Sequence, residues 1–260
     1  QMSLIRRSAA GVKETSYYGT LEALFNETGK SLKPKVRCVI NLANKGAGIP
    51  DGGLFTPNQF QKSSTDLIAG QLPERGAMEL KGTSDKVDST SDSKQVAKSL
   101  KSYRQVLVTN YRDFLLIVLD ENNEAKKLER YSIAEDEAGF WNKADNISSV
   151  TETENERFVE FLKRVMLHRA PVAKPEDVAW FLASYARDAK ARVEEAELSA
   201  LETIRKALEE SLGIKFDGEK GEHFFRSTLV QTLFYGIFSA WVLWHKRKPN
   251  TTEKFHWKTA

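Results

Sequence analysis

A chain of 260 residues with 40% hydrophobic side chains can bury one large core or two ordinary ones, which excludes an intrinsically disordered chain. Lys and Arg number 39 against 36 Asp and Glu; a net charge of +3 is too small to mark a polyanion binder by composition, so any nucleic-acid argument must come from local placement. The single cysteine, Cys38, excludes an intrachain disulfide and a thiolate zinc cluster and fits a reducing compartment, with the cytoplasm as the expected location.

Gln1 to Gly11 is polar and basic, without the apolar core of a secretory signal. Thr15 or Ser16 can cap a helix whose apolar positions Tyr17, Leu21, Leu24 and Phe25 recur at helical intervals, with Gly29 as its stop. Val36, Cys38, Ile40 and Leu42 alternate with Arg37, Val39 and Asn41, the pattern of a half-buried strand. A Gly-rich turn with Gly46, Gly48, Gly52 and Gly53 follows, then strand candidates at Leu54-Phe55 and Ala77 to Lys81. Gly82 to Ser93 is polar and reads as a mobile loop. Val96, Leu100 and Tyr103 support a helix, and Val106 to Thr109 and Phe114 to Leu119 are apolar runs of strand length. From about residue 152 the composition shifts to Ala, Glu, Leu, Arg and Lys at helical spacing, which predicts two domains, 12–150 and 151–260. Phe158, Phe161, Leu162, Val165 and Met166 trace one helix face bounded by Pro171 and Pro175. A second helix is expected from Pro175 or Glu176 to about Leu212, with a break, and Gly213 as its stop.

The informative chemistry lies at Pro50-Asp51 and Glu79-Leu80-Lys81, with 27 residues between Asp51 and Glu79. On an extended strand side chains alternate, so Glu79 and Lys81 share one face and present a carboxylate beside an ammonium. If the Asp51 segment pairs beside this strand, two carboxylates meet next to a lysine. The set suits a hard cation such as Mg²⁺, and the Leu80 carbonyl is a further oxygen ligand. Two carboxylates leave coordination positions open for substrate and water, and Lys81 would orient or deprotonate that water or neutralise charge on a phosphate. The competing account is an ordinary ion pair on an edge strand with Asp51 as a turn residue.

Glu14 and the helix after it, Ile49-Pro50-Asp51-Gly52, Glu79-Leu80-Lys81 and Gln95 on the next helix resemble the PD-(D/E)XK nuclease superfamily. Gly48 to Gly52, Gln95-Val96 and Leu107 to Arg112 further resemble the amino-terminal nuclease of single-chain bacterial restriction-modification enzymes, over roughly residues 12 to 134. The resemblance implies an α/β nuclease core of order αβββαβ, a mixed central sheet flanked by helices, followed by an all-α connector. It implies Asp51, Glu79 and the Leu80 carbonyl as ligands of Mg²⁺, with Mn²⁺ as an alternative, and Lys81 as the catalytic lysine. Glu14 would be the assisting acid, with Glu22 competing for that role. Gln95 would begin a Gln-x-x-x-Tyr motif, although this chain has Ser99 at the tyrosine position. The expected activity is hydrolysis of double-stranded DNA by metal-activated water, giving 5'-phosphate and 3'-hydroxyl ends. A non-catalytic module that grips DNA and docks a methylase or translocase is the alternative.

Lys94, Lys98 and Lys101 recur at three- and four-residue steps, so they line one helix stripe able to meet phosphates; Arg112 is a weaker candidate for the same role. His168, His223, His245 and His256 show no metal-ligand spacing, and no Gly-rich nucleotide loop precedes a helix.

Thr228 to Trp244 holds no charged residue and is followed by His245-Lys246-Arg247-Lys248, so a membrane helix has to be weighed. Its Gln, Thr, Gly and Ser content and soluble-type neighbours favour a buried helix and no membrane. Gln231 to Ala240 resembles the helical stretch before the catalytic core of adenine-specific DNA methylases in those same fused enzymes. Neither a glycine-rich cofactor loop nor an Asn-Pro-Pro-Tyr-like segment is present, so methylation by these residues is not expected. The expectation is the front of a longer polypeptide, its downstream methylase region covering the apolar helix, which can otherwise drive self-association.

Overall fold

A computed structural model describes residues 1–8, 15–41, 50–62, 66–68, 70–169, 175–195, 201–248, 253 and 255–257. It divides into two compact units, 1–171 and 172–260.

The first unit opens with a short helix, α1 (Met2–Arg7), whose Arg6 guanidinium lies 4.5 Å from the Trp141 ring. After a 3-10 turn at Thr15–Tyr17, α2 (Tyr18–Lys30) buries Tyr18, Leu21 and Phe25 on one stripe. Gly29 does not stop this helix. It sits inside it because an added Cβ would lie 2.0 Å from the Val36 carbonyl oxygen, so only glycine lets the returning chain pack so closely.

β1 (Arg37–Ile40), β2 (Gly52–Phe55) and β3 (Ala77–Leu80) form an antiparallel meander. The crossover through α3 (Val87–Ser91) and α4 (Lys94–Tyr103) then brings β4 (Gln105–Thr109) in parallel to β3. β5 (Asp113–Leu119) and β6 (Ala125–Ser132) complete a six-stranded mixed sheet in the order β1-β2-β3-β4-β5-β6. Every residue of β3 and β4 is buried, the signature of central strands covered on both faces. Val96, Leu100 and Tyr103 of α4 join Ala77, Val106, Val108, Leu115 and Ile117 in one core layer. On the opposite face, after α5 (Glu137–Asp145), α6 (Glu152–Leu167) packs Phe161 against Phe114 and Tyr131.

Besides Gly29, three features depart from the sequence reading. The stretch read as a mobile loop, Gly82 to Ser93, contains α3, because Val87 is an apolar anchor buried in the α4 core layer. β6 escapes the apolar pattern because it is a polar, largely exposed edge strand. The division between units falls at 171/172, not near 150, because α6 carries a buried apolar face and Arg164 pairs with Glu129 of β6. Leu42, expected at the end of the first strand, lies outside the described residues.

The second unit is helical: α7 (Pro175–Glu195), α8 (Leu201–Leu212) and α9 (Gly218–Arg247). Gly213, at φ +65°, ends α8 in the left-handed conformation that glycine adopts without a Cβ clash. Phe225 and Val230 of α9 are buried, with Phe225 against Phe216 at 5.4 Å, but most of its other large apolar side chains face solvent. By length and composition α9 could cross a membrane.

Candidate functional site

The site forms where β2 and β3 part. Antiparallel pairing runs to Gly52 opposite Met78; one step further Asp51 would face Glu79. There the Asp51 backbone carbonyl bonds the Asn41 N–H of the β1 side at 2.8 Å, while its carboxylate turns to β3 and accepts the Leu80 N–H at 2.7 Å. A side-chain carboxylate thus stands where a paired strand would offer a carbonyl, which fixes Asp51 against the Glu79-Leu80 backbone. The Tyr18 side chain of α2 bonds the same carboxylate.

Glu79 is buried in the central strand with 2% of its side chain exposed. Its Oε1 accepts from Lys81 Nζ at 2.9 Å and its Oε2 from Gln95 Nε2, also at 2.9 Å. Lys81 Nζ donates in addition to the Leu80 carbonyl at 3.0 Å, and its own N–H holds the Thr109 carbonyl at 2.9 Å. Asp51, Glu79, Leu80, Lys81 and Gln95 therefore form one connected network. Burial raises the Asp51 carboxyl above the usual carboxylate range, outweighing the Leu80 N–H, the Lys81 charge and the Tyr18 bond, which favour the ion.

Residues from the far end of β4 brace this end of the sheet. Asn110 is fully buried; its Oδ1 accepts from the Arg112 and Asp113 N–H groups at 3.1 and 2.6 Å, and its Nδ2 donates to the Asp85 carbonyl at 2.7 Å. It ties the β4–β5 turn to the segment that follows Lys81. Tyr111 in this turn, at φ +69°, meets Tyr17 edge-on at 5.5 Å, one residue from Tyr18. Tyr18 is the residue sequence reasoning did not single out; Asn110 entered it only within the Leu107 to Arg112 resemblance, without a role of its own. A phenol on a buried helix stripe needs a partner for its O–H, and that was the available signal for Tyr18.

Glu14 lies outside the described residues. Glu22 accepts from the Ile40 N–H at 3.4 Å, and Asn26 one turn later exchanges bonds with the Cys38 backbone at 2.9 and 3.0 Å. Both side chains cover the outer edge of β1, so Glu22 serves the strand. Among the described residues, no group of three or more His, Cys, Asp and Glu is arranged to hold a metal.

Lys94, Lys98 and Lys101 are exposed along α4. Arg112 instead holds Asp113, with Nε 2.9 Å and Nη2 2.8 Å from Oδ2, which engages the guanidinium proposed for phosphate. Cys38 is buried with Sγ 3.6 Å from Met78 Sδ, and burial pushes its thiol up, making it a packing residue. His223 sits 3.0 Å from Lys190 Nζ, and His245 stacks on Trp241 with centroids 5.7 Å apart.

The donors available for a divalent ion are the Asp51 and Glu79 carboxylates and the Leu80 carbonyl, all hard oxygens. Lys81 already places a cation on two of them, and burial leaves the Asp51 charge incompletely compensated; this donor set fits a small hard cation. Comparison with family models, with curated proteins and with solved structures finds no match.

Proposed function

We propose that the chain carries a Mg²⁺-dependent DNA endonuclease domain of the PD-(D/E)XK kind, followed by the helical connector of a restriction-modification polypeptide. The observation that carries this reading is the meeting of Asp51, Glu79 and Lys81 at the parting of β2 and β3, from segments far apart in sequence. The order of elements, a helix, a three-strand meander, a helical crossover and a parallel strand, supports it as the arrangement the resemblance implies.

Asp51, Glu79 and the Leu80 carbonyl would hold the ion, which when bound supplies Lewis-acid polarisation of a phosphate oxygen and of water. The protein's own residues do the rest. Tyr18 and the Leu80 N–H orient Asp51, and Gln95 fixes Glu79. Lys81, one-third exposed at the rim, turns from Glu79 towards the scissile phosphate. There its ammonium neutralises charge gathering on the phosphate oxygens while the new P–O bond forms as the P–O3' bond breaks; the attacking water gives its proton to solvent, and solvent protonates the leaving 3'-oxygen. Supercoiled DNA incubated with the chain and Mg²⁺ should be nicked, with 5'-phosphate ends. Asp51→Asn, Glu79→Gln and Lys81→Met should each lower the rate at least a hundredfold; retained cleavage in any of them contradicts the assignment.

A non-catalytic DNA-gripping module is favoured by one observation, the closed Lys81–Glu79 pair, which would neutralise the site without any ion. Such a module binds DNA equally well with Asp51 and Glu79 replaced. Under the leading reading, the downstream methylase region covers α9, the protein is cytoplasmic, and a chain lacking that region self-associates through 228–244.

A further inference from the structure

We propose that the α4 lysine row is a phosphate rail that seats one backbone of a DNA duplex beside the carboxylate centre. Its location as a substrate track rests on the nuclease reading; its capacity to bind rests on charge and exposure alone. At roughly 100° per residue, α4 presents three stripes in turn. Val96, Ser99, Leu100 and Tyr103 face the core. Gln95 stands at the rim and reaches Glu79. Lys94, Lys98 and Lys101 follow on the solvent side of Gln95, all exposed and none in an ion pair among the described residues.

The acids that precede the row in sequence are already engaged. Asp88 and Asp92 of the preceding turn hold Arg130 at 2.7 Å and Lys127 at 3.1 Å on β6, and the Arg130 bond keeps the Asp88 carboxyl below its usual range. Lys127 and Arg130 of β6 are thus paired with α3 and the turn after it, while the lysines of α4 remain exposed to an external anion. The helix is also rigidly set: Ser93 caps it through the Val96 N–H at 3.2 Å, and its apolar stripe is at most 4% exposed. From Lys94 to Lys101 the row covers about 10 Å along the axis, and its long flexible side chains extend that reach to neighbouring phosphates of one strand. Lysines on phosphates set position and carry no base information, so the rail serves every sequence alike.

The test is binding of a short duplex by the full chain in EDTA, where cleavage is absent, followed by fluorescence anisotropy over a range of salt concentrations. The triple variant Lys94→Gln, Lys98→Gln, Lys101→Gln should weaken binding by the same factor for duplexes of unrelated sequence. It should also make the slope of log affinity against log salt shallower by about 2.7, the value for three released counterions. Lys30→Gln, Lys33→Gln, Lys35→Gln, which removes the same charge elsewhere, should change the slope by less than about a third as much. Circular dichroism and thermal melting establish that both variants fold. An unchanged slope in the first triple, or an equal loss in the second, overturns the rail. A chain that binds through the lysines and never cuts with Mg²⁺ sinks the nuclease reading alone; one that cuts with an unchanged slope sinks the rail alone.

Discussion

The two units bury their side chains in opposite ways. In the sheet unit the apolar residues are inside: Phe25, Phe55, Met78, Leu80 and Leu107 have no measurable exposure, and even charged groups enter the core when a partner is supplied, as with Arg164 and Glu129. In the helical unit Arg205 of α8 pairs with Glu222 of α9, while Arg192–Asp188 and Arg226–Glu222 are pairs within α7 and within α9. There Phe216, Phe225 and Val230 are buried, but many large apolar side chains of α9 remain outside, with Leu233 at 52%, Tyr235 at 72% and Leu243 at 53% exposure. A sheet covered on two faces offers each apolar side chain a place to go. A long helix that is apolar on every side offers its neighbours more surface than they cover among the described residues.

Substitutions should split along this line. The largest effect is expected at the buried pair: Arg164→Met leaves Glu129 uncompensated and should cost about 3–5 kcal/mol in urea unfolding, with Glu129→Leu added to it restoring much of the loss. Arg192→Met, whose guanidinium is largely exposed, should cost at most about 1 kcal/mol. Leu107→Ala should cost about 2–5 kcal/mol by opening a cavity, while Leu243→Ala should stay within about 0.5 kcal/mol. Gly29→Ala, with its Cβ driven into the Val36 carbonyl, should cost about 1–3 kcal/mol.

Asp51→Asn should change stability with the opposite sign. Because burial raises the folded carboxyl above its unfolded value, protonation favours the native state. The stability that this group contributes is full below the unfolded value and is lost as pH rises through the folded one. The neutral amide should therefore raise the melting temperature at neutral pH without divalent ions, and the gain should vanish towards about pH 4. A melting difference that grows on acidification would contradict the raised carboxyl.

How much of this is legible from sequence depends on where each residue finds its partner. The central strands and α4 follow from apolar runs and helical spacing, because the core rewards those patterns directly. Glu79-Leu80-Lys81 is legible because strand alternation dictates its neighbours. Tyr18 is not, since its phenol answers to a carboxylate 33 positions away, and β6 is not, since an exposed edge strand has no apolar signal to give. Gly29 misleads because a glycine near a helix end serves close packing as often as termination, and only the returning Val36 distinguishes them. Arg112 reads as free cationic surface until its neighbour Asp113 is seen to hold it in place.

The nuclease proposal requires Asp51 and Glu79 to form one cation centre with Lys81 at its edge. Calorimetric titration of the folded chain with Mn²⁺ tests this without any substrate. Saturable binding is expected, lost in both Asp51→Asn and Glu79→Gln and strengthened in Lys81→Met, where the competing ammonium is gone. Binding that survives either carboxylate replacement, or no binding by the unaltered chain, would contradict it.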